Sequence, residues 1–280
     1  MYILQYYVMG LFGRKKTDKQ LATEWNEEGT RIGTTIDAFW DPTGMRRKEQ
    51  SLKCYDEAIK LDPECFNAWF NKGGVLGELE KYEESITCFH KAIQLNTQKE
   101  LHSKNLFNAW CSIGCSLNSL EKYEESITYF DKAITLDPKD PDAWNNKGVS
   151  LNLLGKYKEA IVCCDEAIKL VPEDITAWTL KGEVLEKLEK YEESIACYDE
   201  AIKLVPEDIT AWTLKGEVLE KLEKYEESIA CYDEAIKLVP EYPVTWKFKG
   251  QVLEKLGRDE EAKECFAKFK ELEKSYKYTS

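Results

Sequence analysis

The chain has 280 residues and a formal net charge of −13. That field repels phosphates, which argues against nucleic acid and anionic membrane surfaces as direct partners. Lysines are interleaved with glutamates, as at Glu186, Lys187, Glu189 and Lys190, and are not massed into a stripe, so they read as solvated helix surface with weak ion pairs.

At the N-terminus, Met1 to Phe12 reads MYILQYYVMGLF and is followed by Arg14, Lys15 and Lys16. Such a stretch is too short to span a bilayer, and its basic residues lie on the wrong side for a secretory signal. Three readings compete for residues 1–21: a cap over the end of the fold, a disordered stretch or mis-assigned start, and a membrane or partner contact through residues 1–12.

From about residue 22 the chain repeats. Trp110, Trp144, Trp178, Trp212 and Trp246 stand 34 apart, each followed four residues later by Gly114, Gly148, Gly182, Gly216 or Gly250. Trp69 with Gly73 and Trp25 with Gly29 extend the series to seven copies: 22–65, 66–106, 107–140, 141–174, 175–208, 209–242 and 243–276, before a tail at 277–280. Residues 171–204 and 205–238 are the same string twice. The first copy is irregular, with an insertion near 36–47 containing Asp41, Pro42 and Gly44, and the second is stretched at 96–106.

Each copy reads as two helices. In the fourth, Trp144, Gly148 and Leu151 share one face of a 3.6-residue period, and the pattern restarts after Gly155 at Tyr157, Ala160, Ile161, Cys164, Ala167 and Ile168. Asp140 and Pro141 predict an N-cap followed by proline at the first helical position, Asp174 and Asp208 predict the next two caps, and Pro172 closes the unit. Strand patterning is absent. A lone helical hairpin has only part of a core, so the expectation is an all-α, elongated and curved stack of antiparallel helix pairs, a single solenoid over 22–276.

These residues closely resemble the tetratricopeptide repeat family. The fourth copy supplies Trp144, Gly148, Tyr157, Ala160, Ala167 and Pro172, and the fifth Trp178, Gly182, Tyr191, Ala201 and Pro206. Ser85, Ser126, Ser194 and Ser228 replace the small alanine of the second helix, and Asp259 replaces the first aromatic of the last copy.

The resemblance implies a right-handed superhelical solenoid whose first helices line a concave face that binds extended or helical segments. Carried over in register, the groove candidates are Asn108, Asn118, Asn145, Asn152, Thr179, Glu183, Glu186, Thr213, Glu217, Glu220, Lys247 and Gln251. Some relatives clamp a partner's terminal carboxylate with lysines and asparagines. Here the matching positions are Thr179 with Glu183 and Thr213 with Glu217, so a basic or amphipathic segment is the expected partner, with charge acting mainly on steering and selectivity.

The remaining chemistry is sparse. Of ten cysteines, Cys54, Cys88, Cys163, Cys197, Cys231 and Cys265 occupy one equivalent site in six copies, about a repeat apart and too distant for disulfides, so they read as buried thiols suited to a reducing cytoplasm. Cys111 and Cys115 share a helix face near His102, but no fourth ligand suggests itself and a metal is not expected. His90 reads as a surface variation, the serines have no histidine base, and Glu192 and Glu193 point to different sides of their helix. No phosphate loop or dinucleotide fingerprint is present.

The sequence therefore points to a cytoplasmic, non-enzymatic protein-protein interaction module without a cofactor. The alternative is a self-assembling homo-oligomeric scaffold, motivated by Phe269 and Leu272, which a last helix without a further cap would expose.

Overall fold

Aspartate side chains open several helices by holding the first free N–H groups. Asp140 Oδ1 accepts from the Ala143 N–H at 3.0 Å beside Pro141. Asp174 accepts from Thr176 at 2.9 Å and Ala177 at 3.2 Å, and Asp208 from Thr210 at 2.9 Å. The first helix uses a reciprocal arrangement: the Thr17 N–H donates to Gln20 Oε1 at 3.0 Å, and the Gln20 N–H donates to Thr17 Oγ1 at 3.3 Å.

The computed structural model describes residues 16–34, 44–99 and 103–279. The stretch 1–12 and His102 lie outside them. Among the described residues are fourteen helices and no strand. In chain order they are α1 (Asp18–Thr34), α2 (Met45–Leu61), α3 (Phe66–Glu78), α4 (Tyr82–Lys99), α5 (Ser103–Ser119), α6 (Tyr123–Leu136) and α7 (Pro141–Leu153). Then follow α8 (Tyr157–Leu170), α9 (Ile175–Lys187), α10 (Tyr191–Leu204), α11 (Ile209–Lys221), α12 (Tyr225–Leu238), α13 (Pro243–Lys255) and α14 (Asp259–Thr279).

Contacts divide the chain after Pro138 into two compact units, the first holding α1 to α6 and the second α7 to α14. Within each, consecutive helices pack in pairs, with the odd-numbered helix first in every repeat. Most of the 96–106 stretch is absorbed into helix, because α4 runs on to Lys99 and α5 starts early at Ser103.

The turn inside each pair closes the first helix by two backbone bonds. In the fifth copy the Lys190 N–H donates to Leu185 O and the Glu189 N–H to Glu186 O, both at 2.9 Å. This closure needs a left-handed residue. Gly155 and Gly257 supply it, at φ 79° and 72°, but Glu80, Glu121, Glu189 and Glu223 adopt it too, at φ of 60°, 58°, 58° and 58°.

Packing within a pair explains the glycine four residues after each tryptophan. The second-helix ring of Tyr198 presses on Gly182, where a Cβ would stand 2.6 Å from Cε1, and Tyr232 does the same to Gly216 at 2.6 Å. Phe130 on Gly114 and Phe266 on Gly250 repeat the contact at 2.6 and 2.8 Å. Both tyrosine rings are 0% exposed, and each apolar side chain of this size stabilises the fold by about 1.5–3 kcal/mol.

The second-helix serines join the same contact. Ser85, Ser126, Ser194 and Ser228 are fully buried and donate to the carbonyls of Gly73, Gly114, Gly182 and Gly216 at 2.7, 2.8, 2.7 and 2.7 Å. They are more than packing alanines with an extra atom, since each bridges the hairpin where the helices come closest.

Tryptophan ties one copy to the next. The indole N–H of Trp69, Trp178, Trp212 and Trp246 donates to Pro63, Pro172, Pro206 and Pro240 O at 2.9, 2.9, 3.0 and 2.9 Å. The lysine three residues on reaches back to an aspartate of the preceding second helix. Lys72–Asp56, Lys181–Asp165, Lys215–Asp199 and Lys249–Asp233 lie at 2.6, 2.7, 2.6 and 2.5 Å.

All six cysteines at the shared site are buried. Phe269 and Leu272 are half-buried, and Lys247 Nζ lies 6.0 Å over the Phe269 ring. The exposed apolar end that motivated a scaffold is therefore smaller than the sequence suggests. Among the described residues no helix is long and apolar enough to cross a membrane.

Candidate peptide-binding face

The second helix of each pair covers the glycine side of the first helix and leaves another face of it open. Positions one, five, eight and nine residues after the tryptophan fall on or beside that open face, and these hold most of the groove candidates.

In the first unit, α3 and α5 border a cleft of about 290 Å³. Small side chains make the space: Gly74 and Gly77 from α3 face Cys111, Ser112, Cys115, Ser116 and Ser119 from α5 over the Phe89 ring. On α5, Asn108 is exposed and Asn118 half-buried. Among the described residues, no three His, Cys, Asp or Glu side chains gather to hold a metal. His90, read as a surface variation, is exposed and lies 3.2 Å from Tyr129 Oη through Nε2.

In the second unit the candidates separate into two kinds. Some are used by the fold. Asn145 is buried and donates through Nδ2 to Asp174 Oδ2 at 2.6 Å, bracing the next helix cap. Thr213 is buried and donates to Ile209 O at 2.7 Å. Glu186 pairs with Lys221, and Glu220 with Lys255 at 2.7 Å, forming a ladder from one first helix to the next. Sequence reading counted both glutamates toward an acidic face and missed this neutralisation. Its signal is the 35-residue spacing of each pair, one more than the period.

The others stay available. Asn152, Thr179 and Gln251 are half-buried, and Lys247 is exposed. Glu183 and Glu217 are half-buried, and among the described residues neither makes an ion pair or a hydrogen bond. Burial, then the Glu186 carboxylate, holds the Glu183 carboxyl above its ordinary pKa, with Lys187 opposing. Burial and Glu186 likewise raise Glu217, Lys221 opposes, and Glu220 adds to the rise.

The tyrosines of the hairpin contact, which the sequence reading did not single out, feel these carboxylates. The Tyr198 and Tyr232 hydroxyls are buried without a hydrogen-bond partner. Burial raises both phenol pKa values; the nearby Ser194 and Ser228 hydroxyls oppose the rise, and the charges of Glu186, Glu183 and Glu217 add to it at Tyr198 as those of Glu220 and Glu217 do at Tyr232.

Paired helices stapled by an indole and closed on a glycine define a helical-hairpin repeat protein. Tetratricopeptide repeat models match residues 43–65, 66–99, 107–140, 141–174, 179–243 and 213–268. The chain belongs to the tetratricopeptide repeat family.

An uncharacterized protein of Methanocaldococcus jannaschii, MJ0572, is 42% identical over 58 residues, which is 20% of this chain and 67% of that one. Among solved structures, MamA 41-end from Desulfovibrio magneticus RS-1 is 26% identical with a TM-score of 0.55, over 61% of this chain and 96% of its own. The Cut9-Hcn1 hetero-tetramer of APC/C aligns at TM-score 0.61 and 16% identity, over 83% of this chain and 43% of that one. YrrB, a TPR protein with an unusual peptide-binding site, aligns at 0.52 and 21%, over 69% and 96%. The last two share the fold.

Proposed function

We propose that this protein is a non-enzymatic interaction module that holds an extended or helical segment of a protein partner against its first helices. The observation that carries this reading is the cleft between α3 and α5, an opening of about 290 Å³ at register positions where a groove-bound segment would lie. Unpaired polar side chains at matching positions in the second unit, Asn152, Thr179, Glu183, Glu217 and Gln251, support it. The ten cysteines are free thiols, which suits a reducing compartment such as the cytoplasm.

Affinity capture from the native organism, with cross-linking and mapping of the linked residues, tests the reading. Cross-links concentrated on α3, α5, α9, α11 and α13 support it. Cross-links confined to the second helices would overturn it, and light scattering that shows concentration-dependent assembly with no bound partner would favour the scaffold instead.

A further inference from the structure

We infer that Glu183 and Glu217 form a paired site for two cationic side chains of one partner segment, an arginine or lysine at each carboxylate. This rests on the proposed use of the first-helix face and names the chemistry recognised there.

The two residues are equivalents in the identical stretches 175–207 and 209–241 of copies five and six, on α9 and α11. Both are half-buried and unpaired, while the neighbouring Glu186 and Glu220 are already satisfied by Lys221 and Lys255. A carboxylate partly removed from water and without a counter-ion is stabilised by an arriving cation more than a solvated one would be. The charges around the pair are Glu186, Glu220, Lys187 and Lys221. Of the two lysines, Lys221 is held by Glu186; Lys187 is exposed and close enough to tune both sites without bonding to either.

A second observation is independent of the glutamates' own exposure. The fully buried Tyr198 hydroxyl makes no hydrogen bond of normal geometry and feels the charges of Glu186, Glu183 and Glu217, and the Tyr232 hydroxyl feels those of Glu220 and Glu217, with the Ser194 and Ser228 hydroxyls acting on them from their own helices. In the first copy the equivalent pair is closed internally, with Tyr55 Oη 3.4 Å from Thr30 Oγ1, the residue five after Trp25. In copies five and six that position is Glu, and the phenol is left with unused capacity beside the carboxylate. Other copies lack the combination: Phe89 lies near Gly74, Cys164 occupies the ring position in the copy with Val149, and Phe266 stands in the copy with Gln251.

Spacing follows from helix packing. Neighbouring helices in contact have axes about 8–10 Å apart. A polyproline II segment advances about 9 Å in one three-residue turn and a helix about 10.5 Å in seven residues, and each returns its side chains to one face. The pair therefore selects cations three apart on a polyproline II segment or seven apart on a helical one, and guanidinium, with its planar fork, over ammonium.

The test is fluorescence anisotropy with short labelled peptides carrying two arginines at spacings from one to seven residues, against the full chain and its Glu183→Gln, Glu217→Gln and double variants. Binding should peak at a spacing of three or seven, fall about tenfold for each Gln variant, and weaken on acidification as the two carboxylates take up protons. Glu192→Gln, an exposed change on the second helix α10, should leave it unaltered. Affinity indifferent to spacing, equal affinity in the double variant, or no binding by any peptide would each overturn the pairing. If the cross-linked partner still maps to the first helices of the double variant, the interaction module stands and only this site fails.

Discussion

Replacing Gly182 with alanine tests whether the ring contact, and not helix propensity, fixes the glycine. In an exposed helix interior this change would stabilise by about 1 kcal/mol. Here the new Cβ would meet Tyr198 Cε1 at 2.6 Å and Cζ at 2.8 Å, roughly 1 Å inside the usual carbon contact of about 3.5–4.0 Å. The ring is 0% exposed and cannot swing into solvent, so the hairpin must open and strain the Ser194–Gly182 hydrogen bond of 2.7 Å. Overpacking costs about 1–3 kcal/mol, which leaves Gly182→Ala a net loss of up to about 2 kcal/mol once propensity is credited. The fourth copy provides the contrast. Cys164 replaces the tyrosine there, and a Cβ on Gly148 would first meet Leu180 Cδ2 at 3.1 Å, the mobile tip of a flexible side chain. Gly148→Ala should therefore be neutral or stabilising by up to about 1 kcal/mol. Urea unfolding followed by far-UV circular dichroism, with hydrogen exchange to localise the change in a repeat array that need not melt as one unit, reads both. Equal effects at the two sites, or a Gly182→Ala that gains the full propensity increment of about 1 kcal/mol, would refute the contact argument. So would a Gly182→Ala, Tyr198→Cys double variant that gains nothing back beyond the sum of its single changes.

Changing the left-handed Glu189 or Glu223 to glycine should raise stability by about 0.5–1 kcal/mol, whereas Gly155→Glu should lower it in the same urea assay. Asp174→Ala should lose about 1 kcal/mol for the helix cap and about 1 kcal/mol more for the stranded Asn145 amide; Asp208→Ala, which has Thr179 in place of that asparagine, should lose only the cap. Because folding raises the pKa of Glu183 and Glu217 above their ordinary 4.5, their ionisation weakens the fold at neutral pH. Glu183→Gln and Glu217→Gln should thus be more stable than the parent at pH 7, with the advantage shrinking as pH falls through the raised values and gone below 4.5; an advantage unchanged at low pH would count against it. Burial pushes Cys164 up to about 12 and Cys197 and Cys231 up to about 11 and also raises the Cys115 thiol; because Cys115 is exposed and the other three are buried, Ellman's reagent should label Cys115 first and reach these three only on unfolding.

Much of the fold was legible because its signals are local or strictly periodic. Trp178 and Gly182 are on one helix face, and Asp174 is adjacent to the groups it caps, so spacing along the chain is enough to read them. The left-handed glutamates were hidden because Glu carries no turn signal; the two-bond closure imposes the conformation on whatever residue follows the first helix. Ser194 bonds across the hairpin to a carbonyl twelve residues away, and serine alone does not reveal which way its hydroxyl points. The candidate site suffered most from lateral offsets: Asn145 and Thr213 carry the polarity of groove residues but sit on the flank that turns inward.

Residues 175–207 of copy five and 209–241 of copy six are identical in sequence yet differ in chemistry, and the difference arises at their neighbours. Thr179 is half-buried, and Thr213, its exact counterpart, is buried. Thr179 sits on α9, which packs beside the first helix bearing Asn145, whereas Thr213 on α11 packs beside the one bearing Thr179. Glu217 feels Glu186 from the preceding copy as well as Glu220 from its own, while the neighbouring carboxylate acting on Glu183 is Glu186 of its own helix. A duplicated repeat thus acquires a distinct surface without any substitution of its own, because each exposed position is completed by the helix beside it. Under the proposed function the smallest unit of recognition is the seam between two first helices, and a substitution at Asn145 or Gln251, outside both identical stretches, should retune the carboxylates within them.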